Sequence, residues 1–430
     1  VNKPLVMLLA GGGGTRLGVL VHDRSKPAVP FGGCYRIIDM ALSNVMHAGF
    51  DWVGVLTQYQ PLSLMSHIGT GEPWNFHGYR RGVRILPPRT GQAASDWYRG
   101  TADAVWQSMD FMRPLKPERV LVLSGDHVYR MDYRGMLAKH IESGADVTVA
   151  VREVAARDVS RFGMVWIDAA GNITRFEEKP PAADTRLASM GIYIFEWRCL
   201  VAALEEIVGS GKGTDFGQDV IPALLGRKHF LAHRFDGYWR DVGTLSSYFE
   251  ASMDTLDPKS GLDLDAWEIC TSDQYSGPGD RPPSRFGPRA ELLDTRVPAG
   301  CRIDGRVHRS VLFPGVQVAG GARVEEAVLM DGVRVGEGAV IRRAIIDKDV
   351  CVGSGVIIDG GRKAGSNTKY GKCDAAGLSL IGKGVSLPAG LRVGSNVVIE
   401  PWADEGSFAS DIPDGETVIG TADPVIVVDR

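Results

Sequence analysis

No Gly-Lys-Ser/Thr triplet follows the glycine-rich stretch near the N-terminus, which excludes a P-loop NTPase. The same glycines lack the spacing of a dinucleotide fingerprint. No apolar run reaches membrane-spanning length, so no transmembrane helix and no membrane partner are expected. Six cysteines, at 34, 199, 270, 301, 351 and 373, are scattered without a C-x-x-C pair. Zinc and a disulfide framework are therefore not expected; free thiols in a reducing cytoplasm are. No secretory signal is visible ahead of the first apolar strand. An excess of one charge is missing too: 48 Lys and Arg face 52 Asp and Glu, a net charge of -4. That argues against nucleic acid or a membrane surface as partner and still allows a local basic pocket.

The chain has 430 residues, too many for one core, so two domains are expected. Glycine is abundant, at 54 residues, where an average chain has roughly 7%. Part of the excess sits in Leu8-Leu9-Ala10-Gly11-Gly12-Gly13-Gly14-Thr15-Arg16-Leu17, completed by Lys26-Pro27. An apolar strand runs into this loop. Such a loop brings backbone N–H groups close to phosphate oxygens, and Arg16 and Lys26 add positive charge. A plain strand-to-helix turn would need the glycines but not Thr-Arg and Lys-Pro.

Up to about Leu256, apolar runs alternate with helical patterns. Strands are expected at Leu5–Leu9, Val53–Leu56, Val120–Leu123, Val147–Val151 and Ile192–Phe195. Helices are expected at Asp39–Ala48, Thr101–Met112, Asp132–Ser143 and Thr244–Leu256, with Asp132 and Thr244 as caps. Met164–Ile167 and Ile173–Phe176 read as a hairpin around Asp168–Asn172. This order predicts an α/β domain with a mostly parallel, Rossmann-like sheet, whose ligands bind beyond the carboxyl ends of the strands. Tyr275–Pro283 is turn-rich and reads as an interdomain connection. Beyond it, Val318, Val324 and Met330 lie six apart. After a slip, so do Val340, Ile346 and Val352, and later Ile381, Leu387, Val393 and Ile399, with Val385, Leu391 and Val397 in parallel. One aliphatic per hexad with recurrent glycine predicts a β-helix of hexapeptide coils. Asp359–Cys373 lacks the period and reads as a loop. The expected domains are 1–256, a linker 257–296, and a β-helix 297–430.

Four constellations accompany the glycine loop. Ser124-Gly125-Asp126-His127 places a carboxylate just past a buried strand. Trp239-Arg240-Asp241-Val242-Gly243-Thr244 places another at a strand-to-helix turn. As single residues these read as a turn aspartate and a helix cap; as a pair they offer oxygen ligands of the kind Mg²⁺ takes. Phe176-Glu177-Glu178-Lys179-Pro180 ends the hairpin. Trp97-Tyr98-Arg99-Gly100-Thr101-Ala102-Asp103-Ala104 opens a helix.

These segments resemble the bacterial glucose-1-phosphate adenylyltransferases, also called ADP-glucose pyrophosphorylases, over nearly the whole chain. The glycine loop is common to all nucleotide-sugar pyrophosphorylases, whereas Trp97–Ala104 and Tyr238–Thr244 are specific to the adenylyl members. The resemblance implies a nucleotidyltransferase domain followed by a left-handed β-helix. The implied reaction joins ATP and glucose 1-phosphate into ADP-glucose and pyrophosphate, the sugar-donor step of glycogen biosynthesis. No Ser-His-Asp set and no acid–base pair is found, and none is needed: a sugar phosphate is already ionised at neutral pH, its second pKa being about 6. The resemblance assigns catalytic roles to Arg16, Lys26 and Asp126, and Mg²⁺ to Asp126 and Asp241. Gly11, Gly12, Gly14 and Thr15 take the nucleotide's phosphates, with Gly100 and Thr101 near the adenine. Lys179 takes the phosphate of glucose 1-phosphate. Glu178, Ser189, Tyr193, Asp215, Phe216 and Trp239 line the glucose site, and Tyr98 and Gly163 contact the sugar nucleotide. It also implies a cytoplasmic homotetramer under small-molecule allosteric effectors.

Three positions depart from the family. Gly13 stands where some members have Arg. Asp23 stands where some have a Lys tied to sugar-phosphate activation, although Arg24 beside it keeps a positive charge. The second hexapeptide run, after Gly377, extends beyond the shorter members. Three other readings stay open: a pyrophosphorylase for another nucleotide sugar, a non-catalytic regulatory paralogue, and a hexapeptide acyltransferase with His308 as its one β-helix histidine.

Overall fold

The structure is a computed structural model that describes residues 3–89, 97–272, 281–361, 367, 369–370 and 377–420. The chain forms two compact units that interleave along the sequence. One takes Val1–Gly12, Met40–Pro61 and Ile68–Trp239; the other takes Gly13–Asp39, Leu62–His67 and Arg240–Arg430.

The first unit is built on a sheet with nine strands among the described residues. They are β1 (Leu5–Leu9), β2 (Trp52–Leu56), β3 (Gly82–Leu86), β4 (Arg119–Ser124), β5 (Val147–Glu153), β6 (Gly163–Ile167), β7 (Ile173–Glu178), β8 (Leu187–Glu196) and β9 (Phe230–Arg234). The order is β7-β6-β8-β4-β1-β2-β3, with β5 against β8 and β9 against β5. Strands β4, β1, β2 and β3 run parallel. Val6, Met7, Leu8 and Val120 to Leu123 are fully buried, as strands covered on both faces must be. The apolar runs that predict these strands are thus continuous and do not alternate. The β6–β7 hairpin forms as expected: the Asp168 carboxylate accepts hydrogen bonds from Ala170 N at 2.9 Å and Asn172 N at 2.8 Å and closes the turn.

The helices follow their caps. Helix α1 spans Ile37–His47, α2 Thr101–Gln107 and α3 Tyr133–Ser143. Asp132 caps α3, accepting from Arg134 N at 3.0 Å. The expected continuous helix Thr101–Met112 is corrected: it breaks at Ser108, at φ -95° and ψ 11°, and a short turn Met109–Met112 follows. The Ser108 hydroxyl donates to Ala104 O at 2.9 Å, a back-bond that bends helices.

In the second unit, α4 (Leu245–Asp254) carries a capping box: Thr244 and Ser247 exchange side-chain and backbone hydrogen bonds at 3.2 Å. Strands β10 (Glu291–Arg296), β11 (Arg306–Leu312), β12 (Arg323–Leu329) and β13 (Val340–Ile346) stack in parallel, and a β-helix results. Val307, Val324, Ile341 and Ile358 lie in register, 17 residues apart. The inward series therefore runs through Leu329 and Ile341, where the hexad count expects Met330 and Val340. The slip has a location. Asp294, Arg309, Glu326 and Arg343, one in each of these four strands, all take positive φ, between 44° and 54°, and mark the place where the coil loses a residue. In the later run Ile381 pairs with Ile399, a full three hexads. Tyr275 to Asp280 of the expected connection lie outside the described residues, as does most of the loop expected at 359–373.

Candidate active site

The carboxyl ends of β2, β1 and β4 lie side by side, because Leu9 pairs with both Leu56 and Ser124. Ala10 N donates to Leu56 O and Gly125 N to Leu9 O, each at 2.9 Å. Gln58, Gly11-Gly12 and Asp126 therefore leave the sheet at one edge, where such folds bind ligands. A Cβ at Gly11 would meet Gln58 Cβ at 3.3 Å, whereas Gly12 has nothing within 4 Å and faces open space. Ser124 Oγ donates to Asp126, and His127 Nε2 lies 3.5 Å from Asp126 Oδ1.

Next to this edge, Gln58 Nε2 donates to Tyr98 O at 3.3 Å, and Tyr98 Oη donates to Leu86 O at 2.9 Å. Burial pushes the Tyr98 phenol up to about 12, so it stays a neutral donor at pH 7. A Cβ at Gly100 would fall 2.4 Å from Thr214 O. Glycine is required there, and the carbonyl is held by Ala102 N and Asp103 N at 2.9 and 3.0 Å. Thr101 Oγ1 then donates to Asp215 Oδ2 at 2.8 Å and accepts from Phe216 N at 3.0 Å.

The chain of contacts continues. The Glu178 carboxylate lies between Gly163 and Gly217 and takes the Lys179 ammonium at 2.7 Å. Lys179 sits at φ +47°, uncommon outside glycine, and donates its N–H to Phe162 O at 3.1 Å. Phe216 packs on Tyr193 at 5.9 Å, and Ser189 Oγ donates to Tyr193 Oη at 3.3 Å. Trp239 is wedged between His127 and Phe162, each at 5.2 Å. Its indole Nε1 is buried and has no hydrogen-bond partner among the described residues. The sequence-predicted residues of this unit thus form one connected lining.

The second unit holds the remaining ones. Gly14 takes φ +58°, and a Cβ there would stand 2.8 Å from Lys26 Cβ; the left-handed turn folds the loop back onto Lys26. Lys26 Nζ donates to Asp241 Oδ1 at 2.8 Å, with the two side chains 6% and 12% exposed. A Cβ at Gly243 would lie 2.9 Å from Asp241 Oδ1 and 3.1 Å from Arg16 Nη2, so Arg16, Lys26 and Asp241 share one small space. Thr15 opens the turn of Thr15–Val21 that carries Arg16.

Around this group, Asp23 pairs with His22 Nδ1 at 2.5 Å. Arg24 is not at the surface, where the sequence alone leaves it as a positive contact; it is buried against Asp347. Sequence reasoning also misses Gly217, Gly243 and Asp347. The first two carry a signal, a glycine one or two residues after a site residue; Asp347 carries none. His308 faces outward on the β-helix, 3.7 Å from Glu325.

Two family profiles match the chain, one described as nucleotidyl transferase over residues 5–258 and one as GlmU-like, C-terminal hexapeptide over 282–381. A glucose-1-phosphate adenylyltransferase of Clostridium acetobutylicum is 47% identical over 318 residues, 73% of this chain and 82% of the relative. That of Geobacillus stearothermophilus is 48% identical over 325 residues, 75% of this chain and 83% of the relative. That of Halalkalibacterium halodurans is 47% identical over 323 residues, 74% and 83%. With a nucleotidyltransferase sheet and a hexapeptide β-helix in the order of that family, the chain belongs to the glucose-1-phosphate adenylyltransferases.

Proposed function

We propose that the protein transfers the adenylyl group of ATP to α-D-glucose 1-phosphate, giving ADP-glucose and pyrophosphate, as the sugar-donor step of glycogen biosynthesis. One observation carries the reading: two cations, exposed Arg16 and buried Lys26, converge on Asp241 beside a glycine-rich loop, in a chain 47–48% identical to enzymes of that name. A sugar-phosphate oxygen attacks the α-phosphorus of ATP, and the bond from that phosphorus to pyrophosphate breaks. The nucleophile is already an anion, so the protein's work is positioning two polyanions and neutralising the leaving group.

In this reading Arg16 and Lys26 hold the triphosphate, with the amides of Gly11, Gly12, Gly14 and Thr15. Gly100 and Thr101 border the adenine. Lys179 holds the sugar phosphate. Glu178, Ser189, Tyr193, Asp215, Phe216 and Trp239 surround the glucose, with Tyr98 and Gly163 beside the sugar nucleotide. The partnerless Trp239 N–H supports a polar ligand there, since a buried donor without a partner costs about 1–3 kcal/mol. Asp126 and Asp241 are hard oxygen donors, a set that fits Mg²⁺; when bound, the ion supplies charge neutralisation for the pyrophosphate. The reading extends to catalytic residues within 1–256, with the expected 257–296 linker giving way to β-helix coils before residue 297, to a cytoplasmic homotetramer, and to control by small-molecule effectors.

The test crosses nucleoside triphosphates with sugar 1-phosphates and scores pyrophosphate release. ATP with glucose 1-phosphate should be fastest, lost with EDTA and restored by Mg²⁺. A faster pair with GTP or UTP would reassign the substrate. No turnover with any pair would point to a non-catalytic paralogue.

A further inference from the structure

The loop that carries Lys26 is tied to the β-helix by a charged contact. Arg24 Nη1 and Nη2 each donate to Asp347 Oδ1 at 3.0 Å, and Nη2 donates to Asp347 Oδ2 at 2.8 Å. The side chains are 6% and 0% exposed. Asp347 is itself anchored: its N–H donates to Ile381 O at 2.9 Å, and its Oδ1 accepts from Lys348 N at 2.8 Å. Burial works to lower the Arg24 pKa, and the Asp347 charge and hydrogen bond, with Asp23 and Asp331, more than reverse it, so Arg24 stays charged. Two further contacts of this segment are neutral: Tyr248 Oη donates to Pro30 O at 2.6 Å, and Gly33 packs against Leu312 O.

A buried ion pair is weak evidence for stability, because desolvation offsets its attraction. Its distinctive property is geometric. A guanidinium forked onto a carboxylate sets direction as well as distance. Two residues after Arg24 comes Lys26, itself locked onto Asp241. We propose that Asp347, on a coil of the β-helix, is a positioning residue for the ATP-phosphate grip, acting through Arg24 on the placement of Lys26. The proposal rests on the reading that Lys26 holds the triphosphate. It also removes Arg24 from the groups that can take an activator's phosphate, since both terminal nitrogens are spent on Asp347.

Three variants test it. Asp347→Asn keeps the shape and removes the charge. The double variant Arg24→Met with Asp347→Leu replaces the pair by apolar groups, which buried pairs tolerate well in stability, while losing the fork. Lys26→Ala reports on the grip itself. KM for ATP should rise roughly tenfold in Asp347→Asn and in the double variant, by the sensitivity of reacting geometry to small displacements, with KM for glucose 1-phosphate unchanged. The double variant should keep the wild-type melting temperature, which separates positioning from folding. A normal KM for ATP in either Asp347 variant, with a raised one in Lys26→Ala, overturns the proposal alone. A normal KM for ATP in Lys26→Ala overturns the underlying reading and the proposal with it. An equal rise in both substrates' KM for Asp347→Asn would also overturn it, because general loosening and not the ATP grip would then be at fault.

Discussion

The two units hold their site residues by different means. In the sheet unit, the candidate sugar and base residues are set mainly by hydrogen bonds and close backbone approach: Gly100 against Thr214 O, Thr101 on Asp215, Gly163 and Gly217 around Glu178. In the β-helix unit, Lys26 on Asp241 and Arg24 on Asp347 are set by charge pairs with little exposure. A base and a sugar are recognised by shape and by hydrogen bonds to neutral groups. A triphosphate is recognised mainly by charge. The two units should therefore fail differently when substituted: one through space, the other through sign.

The largest effect is expected from Lys26→Ala. It removes the cation proposed to hold the triphosphate and leaves the Asp241 carboxylate without its ammonium partner. By analogy with losing one transition-state donor, kcat/KM for ATP should fall by roughly 10²–10³-fold, measured by initial rates of pyrophosphate release. Asp126→Asn should cut kcat by a similar order while circular dichroism stays unchanged; near-normal turnover would take Asp126 out of the mechanism.

Lys179→Ala comes next. A charge-assisted hydrogen bond to phosphate is worth roughly 1.5–3 kcal/mol, so KM for glucose 1-phosphate should rise about ten- to a hundredfold with KM for ATP nearly constant. An equal rise in both would break the division of labour between the units.

Two alanine scans sharpen the spatial half of the comparison. Gly100→Ala forces a methyl to 2.4 Å from a backbone carbonyl and should cost about 1–3 kcal/mol, read as a lower melting temperature. Gly12→Ala meets nothing within 4 Å, so its melting temperature should not move. Its KM for ATP should rise, since the open space is where a phosphate would stand.

The smallest effect is expected from Asp23→Lys. Asp23 is partly exposed and paired with His22, and basal kinetics should not change. Fructose 1,6-bisphosphate should activate this variant more than the wild type. Strong activation of the wild type, unimproved by the variant, would show that the sign at position 23 is immaterial.

Much of the first unit is legible in the sequence because its signals are local. Apolar runs such as Val120–Leu123 become strands buried on both faces, and Asp132 caps the helix it precedes, as Thr244 does in the second unit. The lining from Tyr98 to Trp239 is legible for another reason, since its motifs are those of a known family. The break at Ser108 is not legible, because a serine inside a helical pattern shows its back-bond to Ala104 only in three dimensions. The β-helix period is legible, but its phase is not. A residue such as Glu326 looks like any exposed strand position, and its left-handed conformation, which shortens the coil, follows from stacking on Arg309 and Arg343.

By itself the sequence determined the fold class of both parts and the glycine-rich loop with its flanking cations. These depend on backbone freedom, periodicity and charge within a few residues of each other. Only the tertiary structure decided that the glycine stretch is shared between two units, dividing after Gly12, and that Arg24 is spent on Asp347, 323 residues away. Neither residue carries a local mark of the other. A guanidinium and a carboxylate that far apart in the chain meet only because the coils of the β-helix stack in a register set by their apolar cores.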